Sequence, residues 1–268
     1  MDQGAGLALP GIESETPLLT GIAPAGESGG AHTSRTIMLK ELTALLAATR
    51  ASASRADYAA AILDQNVLAK KSTSTREKTL RYLRELYVLD PDAILFRALR
   101  DLWEVDPSAQ PLLAFLCALA RDPLLRSTVE LVVDLAPGAH IDAGTLAAAV
   151  LARYPGAYSA AVADKIGRNT ASSWTQAGIV SGRYDKVRVQ PDCRPAAVAY
   201  ALMVGHLSDA RGMGLFRTPW ARCLDRSEHE LLAQASVASQ RGWIDLRRVG
   251  EVVEISFGWL LRPLEEPV

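Results

Sequence analysis

The chain is 268 residues long, enough for one large domain or two smaller ones. Ala and Leu dominate a composition that is 49% apolar and only 6% aromatic, a balance that favours helices over sheets. Lysines and arginines number 29 against 30 acids, which excludes a globally basic nucleic-acid binder and confines any such role to local patches.

Residues 1–33 are rich in Gly, Pro, Ser and Glu, as in GIAPAGESGGAH, and read as a flexible leader. They hold no early Lys or Arg and no compact apolar region before a cleavage site, so no signal peptide is expected. A helical domain is expected over 34–138. Ile37, Leu39, Leu42, Leu45 and Leu46 share one helical face, and the polar break ATRASASRAD leads to Tyr58 and Ile62. In KKSTSTREKTLRYLRELYVLD, Ser74 and Glu77 form a capping-box pattern ahead of a stripe of Leu80, Leu83, Leu86 and Tyr87. Asp90-Pro91, Asp106-Pro107 and Asp122-Pro123 each place a capping carboxylate before a proline, predicting short antiparallel helices. Leu95, Phe96, Leu99, Leu102 and Trp103 mark one buried face, and Leu113, Phe115, Leu116 and Leu119 another; a further helix is predicted from Leu124 to Leu135. The most apolar stretch, Leu112 to Leu119, runs into Arg121 and Asp122 and falls far short of the roughly 20 residues a membrane span needs. A buried helix and no membrane association are expected.

A second domain is expected over 139–268. Helices are predicted from Thr145 to Tyr154, Tyr158 to Ile166 and Thr170 to Ala177, with Gly167-Arg168-Asn169 as the turn between the last two. Lys186 to Gln190 alternates like a strand, and Pro195 to His206 is helical again. Ser227 and Glu230 form a second capping box, opening a helix that runs to Gln240. Two strands, Trp243 to Arg248 and Glu251 to Phe257, follow around Val249-Gly250. A helix followed by a β-hairpin is the second half of a winged helix.

Three places combine cations with polar groups. Ser159 to Gly178 fits a helix-turn-helix, whose recognition helix would offer Thr170, Ser172, Ser173, Thr175 and Gln176 to a groove. Asn169 would cap that helix, Arg168 would sit near phosphate, and Lys186 and Arg188 would lie on the following wing. The bland alternative is an ordinary helical hairpin with a polar surface. The second place holds Lys70, Lys71, Arg76, Lys78, Arg81 and Arg84 against one acid, Glu77, with Ser72, Thr73, Ser74 and Thr75 at the helix start. Cations, hydroxyls and free backbone N–H groups suit phosphate oxygens; a solvated helix face is the alternative. The third is Arg247-Arg248, with Arg241 before it.

Catalytic patterns are absent from the sequence: there is no Walker A loop, G-x-S-x-G, H-E-x-x-H or deaminase H-x-E. His140, His206 and His229 are scattered. Cys117, Cys193 and Cys223 are far apart and odd in number, with no CxxC. The expectation is a non-enzymatic cytoplasmic protein with no metal, cofactor or small-molecule substrate.

The runs NVLAKKSTST at Asn66 to Thr75, RELYVLDP at Arg84 to Pro91 and LFRALRDLW at Leu95 to Trp103 resemble the BrxA family of bacterial BREX phage-defence systems. So do NTASSWTQAG at Asn169 to Gly178, AYAL at Ala199 to Leu202 and LFRTPW at Leu215 to Trp220, covering about residues 36 to 258 in the expected order. The resemblance implies a small helical protein that binds DNA and works beside a methyltransferase, an ATPase, a phosphatase-like and a protease-like subunit. It also implies a likeness to the NusB RNA-binding fold. An inner-membrane label attached to some members finds no support in the short apolar runs here.

The expected fold class is mainly α: a helical bundle with helix-turn-helix or winged-helix elements and a small C-terminal β-hairpin. The expected function is to hold double-stranded DNA for a multi-subunit defence complex. RNA binding through a NusB-like bundle and a protein adaptor within the complex are the alternatives. Few aromatics near the basic clusters weigh against RNA.

Overall fold

Apolar periodicity and hydroxyl caps set most of the helix boundaries in the computed structural model, which describes residues 21–23, 28–250 and 252–263. The first half contains α1 (Leu39–Ala48), α2 (Arg55–Leu63), α3 (Thr73–Tyr87), α4 (Ile94–Val105), α5 (Gln110–Arg121), α6 (Pro123–Arg126) and α7 (Val129–Val133). The second contains α8 (Ala143–Arg153), α9 (Ala160–Gln176), α10 (Pro195–Leu207), α11 (Pro219–Arg222) and α12 (Glu228–Gln240). Two antiparallel hairpins complete it: β1 (Val180–Ser181) with β2 (Val187–Arg188), and β3 (Asp245–Val249) with β4 (Val252–Ser256). The fold is mainly helical with a small hairpin near its C-terminus, as expected. Among the described residues no helix is long and apolar enough to cross a membrane.

Two helices are apolar almost all round, and both lie at the centre. Every residue of α5 from Leu112 to Ala120 is buried, as is α10 from Ala196 to Gly205. A helix without a polar face must be surrounded by protein, and α3, α4, α9 and α12 pack around this pair. The core runs across the boundary expected at 138/139. The Tyr200 hydroxyl donates to the Leu95 carbonyl at 2.9 Å, Trp174 Nε1 donates to Thr128 Oγ1 at 2.9 Å, and the Trp174 ring lies 4.5 Å from Phe115.

Several expectations change. Ser159 to Gly178 is not a helix-turn-helix: α9 is one continuous helix through Gly167, Arg168 and Asn169. Gly167 is needed for contact rather than for a turn, since a Cβ there would lie 2.1 Å from the Ala143 carbonyl oxygen of α8. Of the three Asp-Pro starts, only Asp122 caps as expected, accepting from Leu124 N and Leu125 N; Asp106 makes no capping bond, and α4 starts at Ile94 rather than after Asp90. The helix expected from Leu124 to Leu135 is split between α6 and α7. Ser127 and Thr128 hydroxyls bond back to the Leu124 and Leu125 carbonyls, competing with the helical ladder. The cap of α3 is Ser72, which accepts from Thr75 N at 3.2 Å, not Ser74. Ser227 and Glu230 do form the expected capping box.

Of the leader, residues 1–20 and 24–27 lie outside the described residues. Of the rest, Ala23 N donates to Ala120 O at 3.0 Å, and Ala31 and His32 are fully buried.

Candidate nucleic-acid interface

Helix α9 carries two polar stripes, each with helical spacing, and they do different work. Asn169, Ser173 and Gln176 recur at i, i+4 and i+7 and bind the backbone of residues 32–39, which lead into the first turn of α1. Asn169 Nδ2 donates to His32 O at 2.8 Å. Ser173 Oγ accepts from Ile37 N at 3.0 Å, and Gln176 Oε1 accepts from Leu39 N at 3.1 Å. Thr170 is fully buried, its hydroxyl donating back to the Ile166 carbonyl. Thr170, Ser173 and Gln176, expected to read a groove, and Asn169, expected to cap, are therefore committed to contacts within the protein.

The second stripe, Arg168, Ser172 and Thr175, has the same i, i+4, i+7 spacing and faces the β1–β2 hairpin. Between them lies a cavity of about 660 Å³, also lined by Ile141, Asp142, Gly182, Arg183, Tyr184 and Lys186. Lys186 Nζ donates to Thr175 Oγ1 at 2.8 Å and to Gly182 O at 3.2 Å, tying the hairpin to the helix. Partial burial lowers the Lys186 ammonium's pKa. Its partners are neutral oxygens, so its charge stays uncompensated. Arg168 is exposed and has no hydrogen bond or ion pair among the described residues. Asp142 is the one acid in the wall. Bonds from the Thr145 hydroxyl and backbone N–H hold its carboxyl below the usual carboxylate range, at the cap of α8. Three cations against one acid leave the cavity positive.

Arg188 does not belong to this surface. It is 1% exposed, bonds the Val132 and Ile179 carbonyls, and pairs with Asp225 at 3.1 Å. Its guanidinium joins three segments, because a buried cation needs a full set of acceptors.

At α3 the cluster divides likewise. Lys70 pairs with Glu41 at 3.0 Å. Arg76 donates to the Leu63 carbonyl and, at 3.1 Å, to Thr73 Oγ1, closing the end of α2. The Thr75 hydroxyl meets Ser72 Oγ at 2.9 Å. That leaves Ser74, Lys71, Lys78 and Arg81 exposed. Lys78 and Arg81, three residues apart, share a face. Arg81 lies 4.6 Å from the Tyr82 ring centroid, with Arg35 at 4.9 Å from the same ring. The segment between His32 and Leu39 contacts α3 through Arg35 and α9 through Ser173.

Sequence reasoning missed Arg183 and Tyr184. The signal was the turn composition S-G-R-Y-D at the start of a strand pattern. It also missed a buried network in which His32 Nδ1 meets Asp122 Oδ2 at 2.7 Å and His32 Nε2 meets Ser173 Oγ at 2.8 Å. Nothing in the spacing of those three residues announces it.

No family model matches this sequence, and no curated protein matches it.

Proposed function

We propose that this chain is a non-enzymatic, cytoplasmic DNA-binding subunit that holds duplex DNA for a BREX-type phage-defence assembly. The observation that carries the nucleic-acid reading is the cavity beside α9. It gathers Arg168, Arg183 and Lys186 with the hydroxyls of Ser172 and Thr175 around a single acid. Cations and hydroxyls converging from α9 and the β1–β2 hairpin suit phosphate oxygens. Lys71, Lys78 and Arg81 supply a second set of backbone contacts. The α12–hairpin unit is read as a wing, with Arg247 and Arg248 exposed on β3. The defence assignment rests on the distributed BrxA-like runs, which also name its partners as the other subunits of that assembly.

The test is a gel-shift titration of purified protein with a duplex oligonucleotide. Arg168→Glu/Lys186→Glu and, separately, Lys71→Glu/Lys78→Glu are each expected to weaken binding at least tenfold while the thermal melt stays within a few degrees of wild type. Undiminished affinity in both double variants, with normal melting, refutes the site.

A further inference from the structure

We propose that the cavity beside α9 receives an unpaired nucleotide, its phosphate on Arg168 and Lys186 and its base stacked on Tyr184. The inference rests on the nucleic-acid reading above and narrows its ligand. Tyr184 is 86% exposed, and every other Phe, Tyr or Trp side chain among the described residues is buried or half-buried. The ring projects from the tip of the β1–β2 hairpin because Gly182, at φ +94°, makes a turn so tight that a Cβ would lie 1.9 Å from the Asp185 carbonyl oxygen. The hairpin is anchored on both sides. Lys186 ties it to α9, and Asp185 meets His140 Nδ1 at 2.7 Å.

The guanidinium of Arg183 lies 5.1 Å from the Tyr184 ring centroid, covering one face. The other face is left for a second planar group. A cation on one face and a base on the other make a stacking platform. Paired bases in a duplex present edges to a protein, not faces; only an unpaired base offers its π-face. The space, an open cleft of about 660 Å³, is large enough to admit a nucleotide. The Asp142 carboxylate in its wall offers an acceptor to the exocyclic amine of a base, whereas a phosphate would be repelled there. Phosphate is thus directed to the Arg168–Lys186 side.

Fluorescence anisotropy with four labelled ligands tests this: a perfect duplex, the same duplex with one bulged nucleotide, and single strands of DNA and of RNA. Wild type is expected to bind the bulged and single-stranded ligands more tightly than the perfect duplex. Tyr184→Ala should lower affinity for the unpaired ligands about tenfold and leave the duplex unchanged, and Tyr184→Phe should restore the preference. The DNA and RNA arms show which backbone the site favours. If Tyr184→Ala acts equally on all ligands or on none, the stacking proposal falls while the duplex reading stands. If Arg168→Glu/Lys186→Glu and Lys71→Glu/Lys78→Glu also bind every ligand as tightly as wild type, both fall together.

Discussion

His32, Asp122 and Ser173 lie 90 and 141 positions apart and meet in the order of a serine hydrolase relay: carboxylate, imidazole, hydroxyl. The surroundings argue against that chemistry. All three are buried, Ser173 Oγ already accepts from Ile37 N, and its proton has the Asn169 carbonyl within 2.9 Å. Exposing the hydroxyl would mean lifting the segment that carries His32, which would remove the base with the cover. The network is a clasp that holds the N-terminal segment to α5 and α9. Burial, the largest influence on Asp122, raises its pKa, but the facing imidazole and the N–H groups of His32 and Leu125 outweigh it and hold the carboxyl below its ordinary value. A depressed folded-state pKa gives stability that is present above about pH 4 and lost as pH falls through the lowered value. Asp122→Asn keeps an oxygen for the α6 cap but turns an amide N–H toward the His32 N–H groups that the carboxylate accepts. It should cost about 1–3 kcal/mol at neutral pH, with the gap to wild type closing in acid. Glu85, whose pKa is raised first by burial and then by Asp122, works in the opposite sense. The difference between wild-type and variant urea-unfolding curves across pH is therefore the quantity to measure. Parallel curves would mean that the Asp122 carboxylate does not act through its depressed pKa.

On the scale of elements, α9 decides what could be read from sequence. Its Gly167 looks like a turn glycine, and a one-dimensional pattern does not separate a glycine needed for backbone conformation from one needed for close approach. The helical backbone at 167 would accept alanine; the α8 carbonyl would not. Gly167→Ala should destabilise the protein by about 1–3 kcal/mol, as overpacking does, seen as a lower urea midpoint with unchanged helical circular dichroism. Were 167 a solvent-exposed helical turn position, the same change would be neutral or stabilising. The periodic elements were legible because their signals are local: the buried faces of α4 and α5, the Pro195 start of α10, and the Ser227–Glu230 box. Ser72 was missed because each hydroxyl of STST can cap, and only the extended backbone at 72 selects among them. The site was half legible for the same reason. Arg168, Ser172 and Lys186 are identifiable by type. What commits Asn169, Ser173 and Gln176 is the backbone of 32–39, more than 130 residues away in sequence.

For the molecule as a whole, 29 basic against 30 acidic residues means that no global field draws it to a polyanion. Attraction must come from the few cations that the fold leaves without acids, and that makes it countable. Each cation that neutralises one phosphate contributes about 0.9 to the slope of log K against log salt on duplex DNA. Arg168→Gln/Lys186→Gln should therefore flatten that slope by about 1.8, and Lys71→Gln/Lys78→Gln by a similar amount. Arg217 is the matched control. It is also exposed, but Glu228 holds it at 2.6 Å, so its charge is already answered. Arg217→Gln should leave the slope unchanged. Arg188 is the opposite control: its loss should lower the melting temperature, because its partners are the protein's own carbonyls and Asp225 rather than solvent-facing phosphate. A slope that responds to Arg217 as strongly as to Arg168 would show that binding follows total charge, and the local surface on α9 would lose its role.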